Sequence, residues 1–86
     1  MAEHFYVYVL KSYRDYRLYI GYTNNIKRRL SQQAKGEVTS TKNRRPLKLI
    51  YYEYFIDEAD AKAREVFLKS GAGHDQLNQI LKKTLV

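Results

Sequence analysis

Phe5-Tyr6-Val7-Tyr8-Val9-Leu10-Lys11 alternates in character and is rich in Val and Tyr, the composition of a half-buried strand. After the polar stretch Ser12 to Tyr16, Arg17-Leu18-Tyr19-Ile20-Gly21-Tyr22-Thr23 reads as a second strand. Ser12 to Tyr16 is then a hairpin loop, with no Asn-Gly pair to fix its turn type. Successive strand side chains point to opposite faces. Val7 and Val9 share one face; Tyr6, Tyr8 and Leu10 share the other. On the second strand Leu18 and Ile20 oppose Arg17, Tyr19 and Gly21. Bringing the aliphatics together on a buried face fixes the parity of the pairing. Tyr6, Tyr8, Tyr19 and Gly21 then share the opposite face, with Tyr8 expected roughly across from Tyr19. Gly21 leaves room on that face for a substrate or a close backbone. Taken singly, each tyrosine is an ordinary strand residue, since cross-strand aromatic pairs stabilise sheets.

Working outward, Asn24 is the expected cap of a helix over 25–35. Ile26, Leu30 and Ala34 give it a narrow apolar stripe, and Gly36 ends it. A basic loop follows, Val38 to Pro46, and Leu47 to Phe55 is a third strand opened by Pro46. Asp57 caps a second helix over 58–70, stopped by Gly71. A last helix is expected over 75–85, carrying Leu77, Ile80 and Leu81. The order is β-β-α-β-α-α. Three strands cannot bury a core unaided, so the helices must pack on the sheet. The expectation is a small α/β (α+β) domain, residues 1–86, with a three-stranded antiparallel sheet flanked by helices.

Length and composition narrow the partners. A chain of 86 residues is one small domain with a modest core. It has no cysteine to staple that core, which fits a reducing cytoplasm. No apolar run approaches the ~20 residues of a membrane span, and the start lacks a signal-peptide layout. Sixteen Lys+Arg against nine Asp+Glu give a formal +7. Such an excess suits a polyanion, most simply nucleic acid, and fits a membrane surface less well without a basic amphipathic helix.

Two charged residues stand out. Arg29 lies beside the Ile26 and Leu30 stripe, with Gln33 one turn on. An arginine so placed either snorkels to water or faces a partly buried anion. Ala61, Glu65 and Leu68 share one face of the next helix, against a competing stripe through Ala59, Ala63, Val66 and Phe67. Glu65 reads either as a surface carboxylate paired with Lys69 or as a metal ligand. A hard cation such as Mg²⁺ binds through one carboxylate, waters and substrate phosphate oxygens.

In this order and spacing the chain resembles the GIY-YIG nuclease superfamily, particularly its small stand-alone bacterial members. It is similar to the N-terminal nuclease domain of the excision-repair C subunit. Tyr6-Val7-Tyr8-Val9-Leu10 resembles the first motif and Tyr19-Ile20-Gly21 matches the second literally. Arg29 falls where the family's helical arginine sits. Arg44-Arg45-Pro46-Leu47-Lys48-Leu49-Ile50-Tyr51 resembles the third-strand segment, and 61–70, with Glu65, resembles the metal-binding helix. Two positions depart from the pattern. Gln33 stands where the family carries His or Tyr, and Tyr22 where some members carry Lys. Glutamine can hydrogen-bond a phosphate but cannot exchange a proton near neutral pH.

The resemblance implies endonuclease-type hydrolysis of DNA phosphodiesters with low sequence specificity, in DNA repair or processing, with RNA left open. It implies one Mg²⁺ or Mn²⁺ ion held by Glu65. Arg29 would stabilise charge on the phosphorus oxygens, and Tyr8 or Tyr19 would position or deprotonate the attacking water. Gln33, Lys42, Arg44, Arg45 and Asn78 are candidate phosphate contacts, and Gly21 shapes the site. The rival expectation, motivated by Gln33, is a DNA-structure-binding module with weak or lost catalysis. An adaptor for a protein partner ranks third.

Overall fold

The first tyrosine-valine segment becomes the middle of the sheet. In the computed structural model, which describes residues 4–86, strand β1 (Phe5–Ser12) lies between β2 (Leu18–Thr23) and β3 (Leu47–Phe55). Both pairings are antiparallel. Helices α1 (Ile26–Lys35), α2 (Glu58–Leu68) and α3 (Gly71–Ile80) complete the expected order, with a 3-10 turn at Lys42–Arg44 inside the basic loop.

The face parity is as expected, but the register is displaced by two residues. Tyr8 pairs with Gly21, and Tyr19 with Leu10. Pairing Tyr8 with Tyr19 would need a tight two-residue turn. Instead Ser12 closes the loop, its N–H donating to the Arg17 carbonyl at 3.0 Å. Its buried Oγ accepts from the N–H groups of Arg14 and Asp15. Tyr16 completes the turn at φ 60°. On the other side Val9 pairs with Tyr51 and Leu10 with Leu49, so Ile50 is an extra residue in a bulge. The bulge lets Ile50 pack against the core.

Phe5, Val7 and Val9 form the apolar face and pack with Ala61 and Leu68 of α2, Leu77 of α3, and Leu81. Between the two stripes of α2, the one carrying Glu65 faces inward. Ala61 and Leu68 are fully buried, whereas Val66 is 70% exposed. A clamp holds α2 to β3. Arg64 donates to both carboxylate oxygens of Glu53, at 2.8 and 3.0 Å, and the Tyr51 hydroxyl donates to Glu53 at 2.6 Å. The hydrogen bonds from Arg64 hold the Glu53 carboxyl below its ordinary range. Burial, and then the bond to Glu53, pushes the Tyr51 phenol up to about 12.

The helix limits differ from the expectation for local reasons. Asn25, not Asn24, caps α1, its Oδ1 accepting from Arg28 N–H at 3.0 Å. The buried residue of α1 is Gln33, while Ala34 at the end of the apolar stripe is exposed. The helix is rolled toward Tyr8, to which Arg29 and Gln33 both hydrogen-bond. Helix α2 ends at Leu68, and α3 starts at Gly71 rather than at 75. Ser70 is the reason: its Oγ accepts from Gly73 N–H at 3.2 Å and caps α3. Gly71 therefore opens a helix instead of stopping one. At Gly73 a Cβ would come within 2.0 Å of the Phe67 carbonyl oxygen, so the missing side chain permits the close α2–α3 turn.

Candidate active site

Tyr8 lies on the sheet face opposite Val7 and Val9, under α1. Its ring crosses Gly21: a Cβ there would stand 2.2 Å from the Tyr8 hydroxyl. The room left by Gly21 is therefore filled by Tyr8 itself. The tyrosine is only 3% exposed. Its hydroxyl oxygen accepts from Arg29 Nη1 and from Gln33 Nε2, each at 3.4 Å. Gln33 is buried, and its Oε1 accepts from the Thr41 hydroxyl. Both ends of that amide are thus engaged within the protein.

Tyr19 belongs to a second group. Its half-buried side chain donates to Asp15 Oδ2 at 2.5 Å. Asp15 also accepts from Arg17 N–H at 2.9 Å and pairs with Arg44 Nε at 3.5 Å. The bond to Asp15 raises the Tyr19 phenol above its ordinary pKa, and the same bond lowers the Asp15 carboxyl. Sequence reasoning passed over Asp15, Thr41 and Ser12. Asp15 carried one signal: it lies in the loop that leads into the second tyrosine strand.

The basic loop divides by role. Ser12 Oγ donates to the Arg44 carbonyl at 2.6 Å and ties the loop to the hairpin. Arg45 turns back on the protein, donating to the Lys42 carbonyl at 3.1 Å and to the Ala34 carbonyl at 3.3 Å. It thereby satisfies a carbonyl at the end of α1. Gly36, at φ 74°, lets the guanidinium lie close, since a Cβ would stand 2.7 Å from Arg45 Cζ. Lys42 is exposed, and its ammonium has no partner among the described residues. Asn78 is exposed on α3 and its side chain likewise has none.

Glu65 is half-buried, its side chain 22% exposed, and pairs with Lys69 at 3.2 Å. No hydrogen bond or ion pair among the described residues joins it to Tyr8, Tyr19 or Arg29. Helical phase locates it. Glu58, two turns earlier on the same side, accepts from the Tyr22 hydroxyl of β2 at 2.5 Å. Arg64 instead reaches β3. Glu65 is therefore on the β2 side of α2, and β2 is an edge strand. Among the described residues no three His, Cys, Asp or Glu are grouped to hold a metal. Glu65 offers one hard oxygen donor, which fits Mg²⁺ or Mn²⁺ completed by water and substrate phosphate. Two surface hollows, about 350 and 420 Å³, are lined by Leu49–Tyr52 and by Ala34 with Arg45–Leu47. Neither is lined by Tyr8 or Glu65. For an extended polyanion an open, charged surface matters more than an enclosed pocket.

A three-stranded antiparallel sheet in the order β-β-α-β-α-α is the architecture of a nuclease-like catalytic domain. Residues 4–78 match the family model described as the GIY-YIG catalytic domain, and the chain belongs to that family. Its relatives include small bacterial UPF0213 proteins. That of Clostridium perfringens is 36% identical over 81 residues, covering 93% of this chain and 86% of the relative. That of Staphylococcus haemolyticus is 38% identical over 81 residues, covering 93% and 96%. The solution NMR structure of the UPF0213 protein from Bacillus halodurans has a TM-score of 0.58 and 30% identity, covering 90% of this chain and 84% of that one. Family membership implies a nucleic-acid substrate. No helix among the described residues is long and apolar enough to cross a membrane.

Proposed function

We propose that the domain is a metal-dependent endonuclease that hydrolyses DNA phosphodiesters with low sequence specificity, in DNA repair or processing. The observation that carries this is the Arg29 guanidinium, held against the Tyr8 hydroxyl on a strongly basic domain. Arg29 takes the phosphate oxygens and stabilises the charge that develops on them. Tyr8, buried and in contact with Arg29, positions that guanidinium. Tyr19 keeps its proton near neutral pH, so its part is to orient the attacking water rather than deprotonate it. Glu65 would hold one Mg²⁺ or Mn²⁺, which when bound would supply positive charge for the leaving oxygen. Lys42 and Arg44 meet backbone phosphates, giving affinity without base reading.

The buried amide of Gln33 favours a second reading, a DNA-structure-binding module with weak catalysis. One experiment separates them. Plasmid, branched and single-stranded DNA are incubated with Mg²⁺, with Mn²⁺ and with chelator. The nuclease reading expects metal-dependent nicking that Glu65→Ala and Arg29→Ala each reduce by about 100-fold or more. Nicking that persists in either variant overturns the site. Salt-sensitive binding without any nicking by the unmodified protein establishes the binding module.

A further inference from the structure

We infer that the exposed face of β1 and β3 is a stacking platform for unpaired bases, a subsite for single-stranded nucleic acid beside the Tyr8 centre. The inference rests on the nucleic-acid reading above and adds the form of strand that is held.

The platform is built from tyrosines that the proposed chemistry does not use. Tyr6, Tyr52 and Tyr54 lie on the same sheet face as Tyr8, because β1 pairs Tyr6 with Tyr54 and Tyr8 with Tyr52. Tyr6 meets Tyr52 and Tyr54 edge-on, with ring centroids 6.0 and 5.6 Å apart. His4 extends the row, its Nδ1 2.7 Å from the Tyr54 hydroxyl. Tyr52 is 52% exposed and Tyr54 48%. Helix α1 covers Tyr8 on this face but leaves these rings open to solvent.

Strand propensity explains a tyrosine on such a face, but Thr or Val would serve the strand as well with less apolar surface in water. Three adjacent rings, two of them half in water, form instead a contiguous aromatic surface. Nucleic-acid-binding sheets use such surfaces to stack splayed-out bases. The charge of the face suits that occupant. No Asp or Glu of the strands points to it, since Glu53, the acid of β3, faces the other way into the Arg64 clamp. Arg29 flanks it through Tyr8, and the whole chain carries +7. A duplex cannot exploit the rings, because its base faces are already stacked. An unpaired strand can lay bases on Tyr52 and Tyr54 while its phosphates reach Arg29.

The test is fluorescence anisotropy of a labelled thymidine oligonucleotide in chelator, so that binding is read without cleavage. Tyr52→Ala with Tyr54→Ala is expected to weaken single-strand binding about tenfold or more and to leave duplex binding unchanged. The paired Tyr→Phe variant keeps the rings and is expected to bind like the unmodified protein. An abasic strand of equal length tests the same point without mutation and is expected to bind as weakly as the alanine variant does. Unchanged single-strand affinity in the alanine variant, with metal-dependent nicking intact, overturns the platform and spares the nuclease reading. Equal losses for single strand and duplex also overturn it. A concentration-dependent dimer abolished by the alanine variant, with oligonucleotide affinity unchanged, assigns the face to a second copy instead. Binding of neither strand form overturns the nucleic-acid reading and this inference with it.

Discussion

Tyr8 and Tyr19 face the same way on neighbouring strands, yet their hydroxyls are bound in opposite senses. Tyr19 donates to a carboxylate, whereas the Tyr8 oxygen accepts from Arg29 and Gln33. The two tyrosines are therefore unequal, a difference that depends on Asp15 and on the roll of α1. If Tyr8 acts through Arg29, the two must behave as one unit in a double-mutant cycle. Tyr8→Phe should slow single-turnover cleavage about tenfold, the worth of one hydrogen bond to a charged group. In an Arg29→Ala background the same change should cost nothing more. Additive losses in that cycle would give Tyr8 a role of its own at the phosphate. Arg29 was legible as a candidate, since it follows the second strand on a short helix and borders an apolar stripe. The partners Asp15 and Thr41 were not, because loop closure decides which polar groups they meet.

At the scale of elements, the number, type and order of strands and helices followed from periodicity and from punctuation by Asp57, Gly36 and Pro46. Register and helix limits were less legible because single side chains set them. Ser12 holds the hairpin loop open and moves the pairing by two residues, and Ser70 starts α3 where a glycine suggested a stop. The Tyr51–Glu53–Arg64 clamp joins β3 to α2, the helix that presents Glu65, and gives that docking a pH dependence at both ends. Glu53 is depressed below its usual 4.5 in the folded protein. Its contribution is present above about pH 4.5 and is lost as pH falls through the folded value. Tyr51 is raised from 10.0 to about 12, so its contribution is full below pH 10 and is lost as pH rises toward 12. Urea melts across that range should show stability falling at both limbs. Glu53→Gln should cost about 2 kcal/mol at neutral pH and flatten the acid limb. Tyr51→Phe should flatten the alkaline limb, and an alkaline limb that survives this change would place its origin elsewhere.

Over the whole molecule, the excess charge is unevenly placed, and this decides how the protein meets a polyanion. Glu58, Glu65 and Glu53 form ion pairs on and around α2, with Lys62, Lys69 and Arg64. Helix α1 carries Lys27, Arg28, Arg29 and Lys35 and no acid, and the basic loop adds Lys42, Arg44 and Arg45. The positive field therefore lies on the α1 side of the sheet, with Tyr8 and the open tyrosines. Each phosphate neutralised releases condensed counterions, so the salt dependence of binding counts phosphate contacts. Lys42 is exposed without a partner among the described residues, whereas Arg45 is spent on the carbonyls of Ala34 and Lys42. Lys42→Ala should lower the slope of log K against log salt by about 0.9 on duplex and about 0.7 on single strand, whatever the sequence. Arg45→Ala should instead lower stability by about 1 kcal/mol, because the Ala34 carbonyl at the end of α1 loses its hydrogen bond. Measured by salt titration and urea melts side by side, the two variants should exchange no effects. A slope that falls for Arg45→Ala and not for Lys42→Ala would mean that the loop turns over on binding and that the arginine leaves the helix for the phosphate.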